Sequence, residues 1–237
     1  MASRAEAAAI APWPAVGSAF RAALGDFYVN SLRLVAANLL WGAMLIGVWL
    51  AFLIAPPGVL LLPLLAFPTA SIFQIAVHVV RGGPVSLRDG LRVWRTDPGP
   101  ILVLGIVLVS CLAVFLVNIV SGVLGGGVIG WVVATGAAWG AAVAWLVSWT
   151  AWPLLLDPAR ADRPVRDRLR TAVLLVVAYP IRLGALGAVL AVILLTSTIA
   201  LIALMTISVA FAALVATRYV LPAADRLEER MQPCSPT

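Results

Sequence analysis

The chain has 237 residues, 63% of them hydrophobic and 11% charged, with a mean hydropathy of +1.08. A soluble domain carries roughly 25% charged residues and cannot hide so much apolar surface, whereas a bilayer can. The formal charge of +6 rests on sixteen arginines and no lysine, which excludes a Walker-A phosphate loop and a lysine Schiff base, and without a separate basic domain it points to membrane topology, not nucleic acid.

Residues 1–24 form an Ala/Pro-rich segment with no apolar core of signal-peptide length before Arg21. From Phe20 to Leu34, the residues Leu24, Phe27, Tyr28 and Leu32 recur at helical spacings. Two readings stay open: an interfacial helix lying on the membrane, or a partly ordered tail ending near Asp26.

Between Arg33 and Arg81 the one residue able to carry charge is His78. A single helix would run roughly 70 Å there at 1.5 Å per residue, over twice the ~30 Å hydrocarbon core. The chain must turn back, and Ala55-Pro56-Pro57-Gly58 marks the place. This predicts crossings near 34–54 and 59–80, the second bent by Pro63 and Pro68. The charge-free stretch 98–156 has a Gly-rich turn at Ser121–Gly127, predicting crossings near 100–120 and 129–155. The stretch 183–217 leaves just enough length for crossings near 181–197 and 201–220, turning near Thr196-Ser197-Thr198 or a few residues later. The expected fold class is therefore an all-α, polytopic helical membrane protein. Six transmembrane helices in three hairpins occupy residues 25–222, and 223–237 form a cytoplasmic tail.

Every arginine falls in the two long connections or the terminal segments, and the first, third and fifth connections have none. The positive-inside rule places both termini and both long loops in the cytoplasm. Those loops hold two Arg-rich islands, Arg81–Arg95 and Arg163–Arg170, which share the pattern Pro-Val followed by Arg88-Asp89 or Arg166-Asp167. A fainter copy, Asp225-Arg226-Leu227-Glu228, follows the last apolar run and suggests a repeat of hairpin plus island. Ser86 and Asp89 have capping-box spacing, with Leu87, Leu91 and Trp94 on one helical face and Arg88, Arg92 and Arg95 on the other. In the second island Asp162 is positioned to cap, Pro164 suits an early helical position, and Val165, Leu169 and Val173 form the apolar face. Asp89 and Asp167 are expected to hold the islands as caps or ion-pair partners. The islands, with Arg166, Asp167, Leu169 and Arg170, read either as anchors to anionic lipid in the bilayer or as a partner-docking surface.

Reactive groups are scarce. His78 sits at the inner end of the second crossing, all ten acids lie outside the crossings, and neither an HExxH pair nor a Gly-x-Ser-x-Gly elbow occurs. No catalytic, metal or cofactor site is expected. Gln74, His78 and Asn118, with Thr69, Ser110 and Thr135, are the residues from which a polar solute path would have to be built. Gly136, Gly140 and Ala144 recur every four residues, the spacing of close helix packing, and Trp145, Trp149 and Trp152 share one face. Cys111 and Cys234 should sit at different depths and not pair.

Asn38-Leu39-Leu40-Trp41, the island opening Arg81-Gly82-Gly83-Pro84-Val85-Ser86, and Asp157-Pro158-Ala159-Arg160 leading to Arg166–Arg170 resemble the YesL-like family over about residues 24–222. Gly90 and the Ala/Pro-rich start depart from that family's pattern. The resemblance implies a bacterial plasma-membrane protein of a family without established activity, often encoded beside carbohydrate ABC importers. It thus implies an accessory or assembly role with permease or ATPase subunits as partners, and transfers no catalytic residue. The alternative is a self-sufficient small-solute carrier.

Overall fold

The structure is a computed structural model describing residues 15–83 and 85–231. The start of the Ala/Pro-rich segment, Pro84 and the end of the tail with Cys234 lie outside the described residues. Helices α1 (Val16–Val29) and α2 (Ser31–Ile54) are followed by a 3₁₀ segment, Pro56–Leu65, running into α3 (Ala66–Arg81). Then come α4 (Leu87–Thr96), α5 (Pro98–Gly125), α6 (Gly127–Leu155), α7 (Val165–Ala178) and α8 (Pro180–Ile199). A short α9 (Leu201–Ala203) and a π turn, Leu204–Ser208, lead into α10 (Val209–Met231). Six stretches are long and apolar enough to cross a membrane, and no strand occurs among the described residues. The chain is an all-α polytopic membrane protein.

The elements form three units of one design: a short amphipathic helix, a one-residue break, an outgoing crossing and a returning crossing. The breaks are Asn30, Asp97 and Tyr179, and each donates its N–H to the carbonyl four residues earlier, on Asp26, Val93 and Leu175. Asp97 and Tyr179 have nearly the same backbone, φ −134° with ψ 50° or 54°. Pro98 and Pro180 then restart a helix where a missing N–H costs nothing.

Packing closes this repeat into a ring. The returning helices α3, α6 and α10 touch one another. Each short helix lies on the returning helix of the unit before it: α4 on α3, α7 on α6, and α1 back on α10. Outgoing helices follow suit, with α5 reaching α3, α8 reaching α6 and α2 reaching the π turn that opens α10. In α10, 83% of the most apolar stretch is buried, against 11–44% in the other five spans. Ala210, Ala212, Ala213, Ala216, Ala223 and Ala224 on this helix are fully buried, so neighbouring backbones approach closely.

Several sequence expectations change. The island-like Asp225–Glu228 is no third island: it lies inside α10, which runs through 223 to Met231, and the third amphipathic element is α1 at the other end of the chain. On α1 the inward residues are Ala19, Ala23, Phe20 and Phe27, the two rings standing edge-on to Phe211 at 5.2 and 6.0 Å, while Leu24 and Tyr28, with Leu32 at the start of α2, face outward. The second crossing is not a bent α-helix from residue 59, because its first ten residues are 3₁₀. The last hairpin does turn where expected, at Ala200 a few residues beyond Thr196-Ser197-Thr198, and Asn38 accepts the Ala210 N–H at 2.8 Å just beyond the π turn. Between α5 and α6 the backbones come close at Gly122 and Gly130, where a Cβ on either would run into the other's carbonyl. Gly140 packs on the Phe115 ring and Gly136 faces open space. Gly126 and Gly127 make the turn between them, with φ of 61° and 67°.

Candidate functional site

The three returning helices end at the same end of the bundle, and there an ion network joins all three units. Arg81, the last residue of α3, donates Nε and Nη2 to Asp157 at 3.2 and 2.6 Å, and Nη1 and Nη2 to Asp225 at 3.0 and 3.1 Å. Arg160, in the turn after α6, pairs with Asp157, reaches Asp225 at 2.6 Å and Glu228 at 2.9 Å, and Arg163 adds a bridge to Glu228 at 2.8 Å. Asp157 also accepts the Ala159 N–H at 3.1 Å. Three arginines meet three carboxylates, so the network is neutral. Its centre is dry, with the Asp157 side chain 0% and the Arg160 side chain 3% exposed. Burial alone would lower the Arg160 pKa, but the hydrogen bonds and charges of Glu228 and Asp225 outweigh it and hold it above its ordinary value.

Arg168 does related work on neutral acceptors. Its guanidinium donates to the carbonyls of Arg163, Leu155 and Ala161 at 3.0, 2.7 and 2.9 Å, tying α7 to the end of α6. The first island is fixed otherwise. Ser86 caps α4 by accepting the Arg88 N–H at 3.1 Å, and Trp94 Nε1 donates to Ser71 Oγ at 2.6 Å and the Phe67 carbonyl at 2.9 Å. Gly90 and Val93 are the buried residues of α4, with Leu87 and Trp94 half-buried beside them and Leu91 turned outward. A Cβ at Gly90 would stand 3.1 Å from the Ile75 side chain and the Ser71 carbonyl, which is how closely α4 lies on α3.

In the second island Val165 and Leu169 pack on the core, but Val173 is exposed, and Thr171, Ala172, Leu175 and Val176 are the buried residues. Pro164 occupies the N-cap itself, without a side-chain cap from Asp162. The carboxylates of Asp89 and Asp167 have no hydrogen bond or ion pair among the described residues, so they do not hold the islands. Arg88, Arg92, Arg95, Arg166 and Arg170 are exposed and likewise have no ion-pair partner among the described residues.

The two islands flank one cleft of about 450 Å³. Gln74 and His78 enter it from α3, Asp89, Arg92, Thr96 and Asp97 from the α4 side, and Arg168 from α7, over Leu155–Pro158. His78 Nδ1 lies 2.8 Å from the Gln74 carbonyl, a contact that requires Nδ1–H. Asn118 is elsewhere: its amide bonds back to the Val114 carbonyl at 2.8 Å on α5. Ser110 and Thr135 lie on the outer surface, and Thr69 accepts the Trp41 indole at 3.1 Å. The expected polar path is thus divided among separate places.

Asp157, Arg160, Asp225, Glu228 and Asn38 were missed as site residues. The signals available were an Asn within an apolar crossing and acids at the crossing ends. Among the described residues no group of three His, Cys, Asp or Glu side chains is arranged to hold a metal ion. No family model matches the chain, and neither a curated protein nor a solved structure matches it.

Proposed function

We propose that the protein is an accessory or assembly subunit of a membrane complex, binding its partner through the arginine faces of α4 and α7 and the cleft between them. One observation carries this reading. Arg81, Arg160, Arg163 and Arg218 are engaged by acids, whereas Arg88, Arg92, Arg95, Arg166 and Arg170 on the two island helices have no ion-pair partner among the described residues. Those helices are held rigidly by Trp94 and Arg168, so the unpaired charges sit on an ordered surface where recognition costs little conformational entropy. The distribution of arginine supports a cytoplasmic position for this surface. The resemblance to the YesL-like family supports the permease or ATPase of a carbohydrate ABC importer as the partner.

The carrier alternative loses its main support, because Gln74 and Asn118 do not meet. Affinity purification of the full chain in mild detergent tests the reading. A permease or ATPase subunit should co-purify, and charge reversal at Arg88, Arg92, Arg166 and Arg170 should remove it. If no partner appears and the protein alone moves a solute into liposomes in a Gln74-dependent way, the carrier reading replaces this one.

A further inference from the structure

The repeat builds a second cleft of the same design at the charged end, one unit earlier. It lies between α1, the end of α3 and α10, an open groove of about 770 Å³. The first cleft lies correspondingly between α4, the end of α6 and α3, so the two are repeat-related in position. Their chemistry differs. The first mixes signs, with Asp89 and Asp97 beside Arg92. The second contains Arg21, Arg33 and Arg218 against a single acid, Asp26. Both Asp26 oxygens are taken by Arg218, at 2.5 and 2.8 Å. Three positive charges against one negative leave +2, carried by Arg21 and Arg33, which are both exposed.

The floor of this groove is apolar and deliberately empty. Val79 and Val85 line it, and Gly25 and Gly82 leave open space where a Cβ would stand. Gly82 ends α3 at φ 73°, a backbone that itself favours glycine. Beside the groove Tyr28, Val29 and Leu32 are 84, 79 and 83% exposed, just before the charge-free crossing begins. Three such side chains within five positions are disfavoured on a solvated surface, but the boundary between headgroups and acyl chains would hold them. A cationic rim over an apolar floor at that depth matches one class of ligand.

We propose that this groove binds an anionic phospholipid, its phosphodiester paired with Arg21 and Arg33 and its glycerol and first acyl carbons on the valine floor. A zwitterionic lipid would bring an ammonium group against two guanidinium groups and is disfavoured. Free phosphate gains nothing from the apolar floor. This site is separate from the partner surface of α4 and α7, so it is testable without any partner.

The test uses the full chain in detergent, titrated with phosphatidylglycerol and read by native mass spectrometry. One lipid should remain bound. The double substitution R21Q/R33Q should weaken it about thirtyfold, at ~1 kcal/mol per arginine. Gly25→Leu fills the groove at an open helical position without changing charge, and should weaken binding similarly while the lipid-free unfolding midpoint does not fall, leucine favouring helix over glycine. Wild-type affinity in either variant would overturn the proposal. So would equal retention of phosphatidylcholine, or displacement by equimolar inorganic phosphate or glycerol phosphate, which would mark a site for soluble anions.

Discussion

At the scale of single residues, the weight rests on Asp157 and Arg160, buried partners three positions apart. Removing one member of a buried ion pair leaves the other charge uncompensated, which costs about 3–5 kcal/mol. Arg160→Met leaves Asp157 its two Arg81 bonds but the network one positive charge short, so stability should fall by at most that order, read as a shift in unfolding in detergent. Arg163→Ala, at a side chain 43% exposed, should cost no more than ~1 kcal/mol. The pH response follows from the raised Arg160 pKa. A group raised on folding contributes fully below its unfolded pKa and loses that contribution only as pH climbs through the raised value. No loss from Arg160 is expected at neutral or mildly alkaline pH, and a stability drop there shared by wild type but absent from Arg160→Met would contradict the assignment. Sequence reading marked Asp89 and Asp167 instead, because they repeat. Repetition reports on local pattern, whereas the carboxylates that matter are those whose helix ends converge.

At the scale of elements, α4 is held by Gly90 against α3 and by the Trp94 indole. Trp94→Phe keeps the ring facing Phe67, now at 5.8 Å, and removes both indole hydrogen bonds. The Phe67 carbonyl keeps the Ser71 hydroxyl as donor, so the loss is that of the indole bond itself, about 0.5–1.5 kcal/mol, and amide exchange within α4 should accelerate while the crossings remain protected. Asp89→Ala and Asp167→Ala should each change exchange in their islands by no more than the ~0.3–1 kcal/mol of a first-turn acid on the helix dipole. A larger effect from either Asp would mean that it holds a partner after all. Helical spacing correctly separated the arginine faces from the rest, and placed Leu87 and Trp94 on one side. It put Leu91 inward because a lone amphipathic helix is read by polarity, and did not see that Gly90 lets two backbones close to contact.

At the scale of the molecule, the ring of three units predicts that the ends of α3, α6 and α10 lie on one side of the membrane, opposite the turns at Ala55 and Gly126. Cysteines at Val59 and Val128, in a cysteine-free background, should react with an impermeant thiol reagent in whole cells, and a cysteine at Gly83 should not. Comparable labelling at Gly83 would break the topology. Val59 and Val128 are better sites than their neighbours, since a side chain at Gly58 would meet the Ala51 and Phe52 backbone at 2.5–2.6 Å and Gly126 has positive φ. Chain length against bilayer thickness sufficed for the number of crossings, and the spacing of arginines for which connections share a side. These are one-dimensional constraints, imposed by the solvent on each segment separately. The tertiary structure alone decided that α1 is the third amphipathic element and that α10 stands at the centre. It alone decided that Arg81 meets Asp157 and Asp225, 76 and 144 positions away. Those pairings depend on which helices touch, and in lipid that choice rests on small side chains and shape, which leave almost no trace in the hydropathy of any one segment.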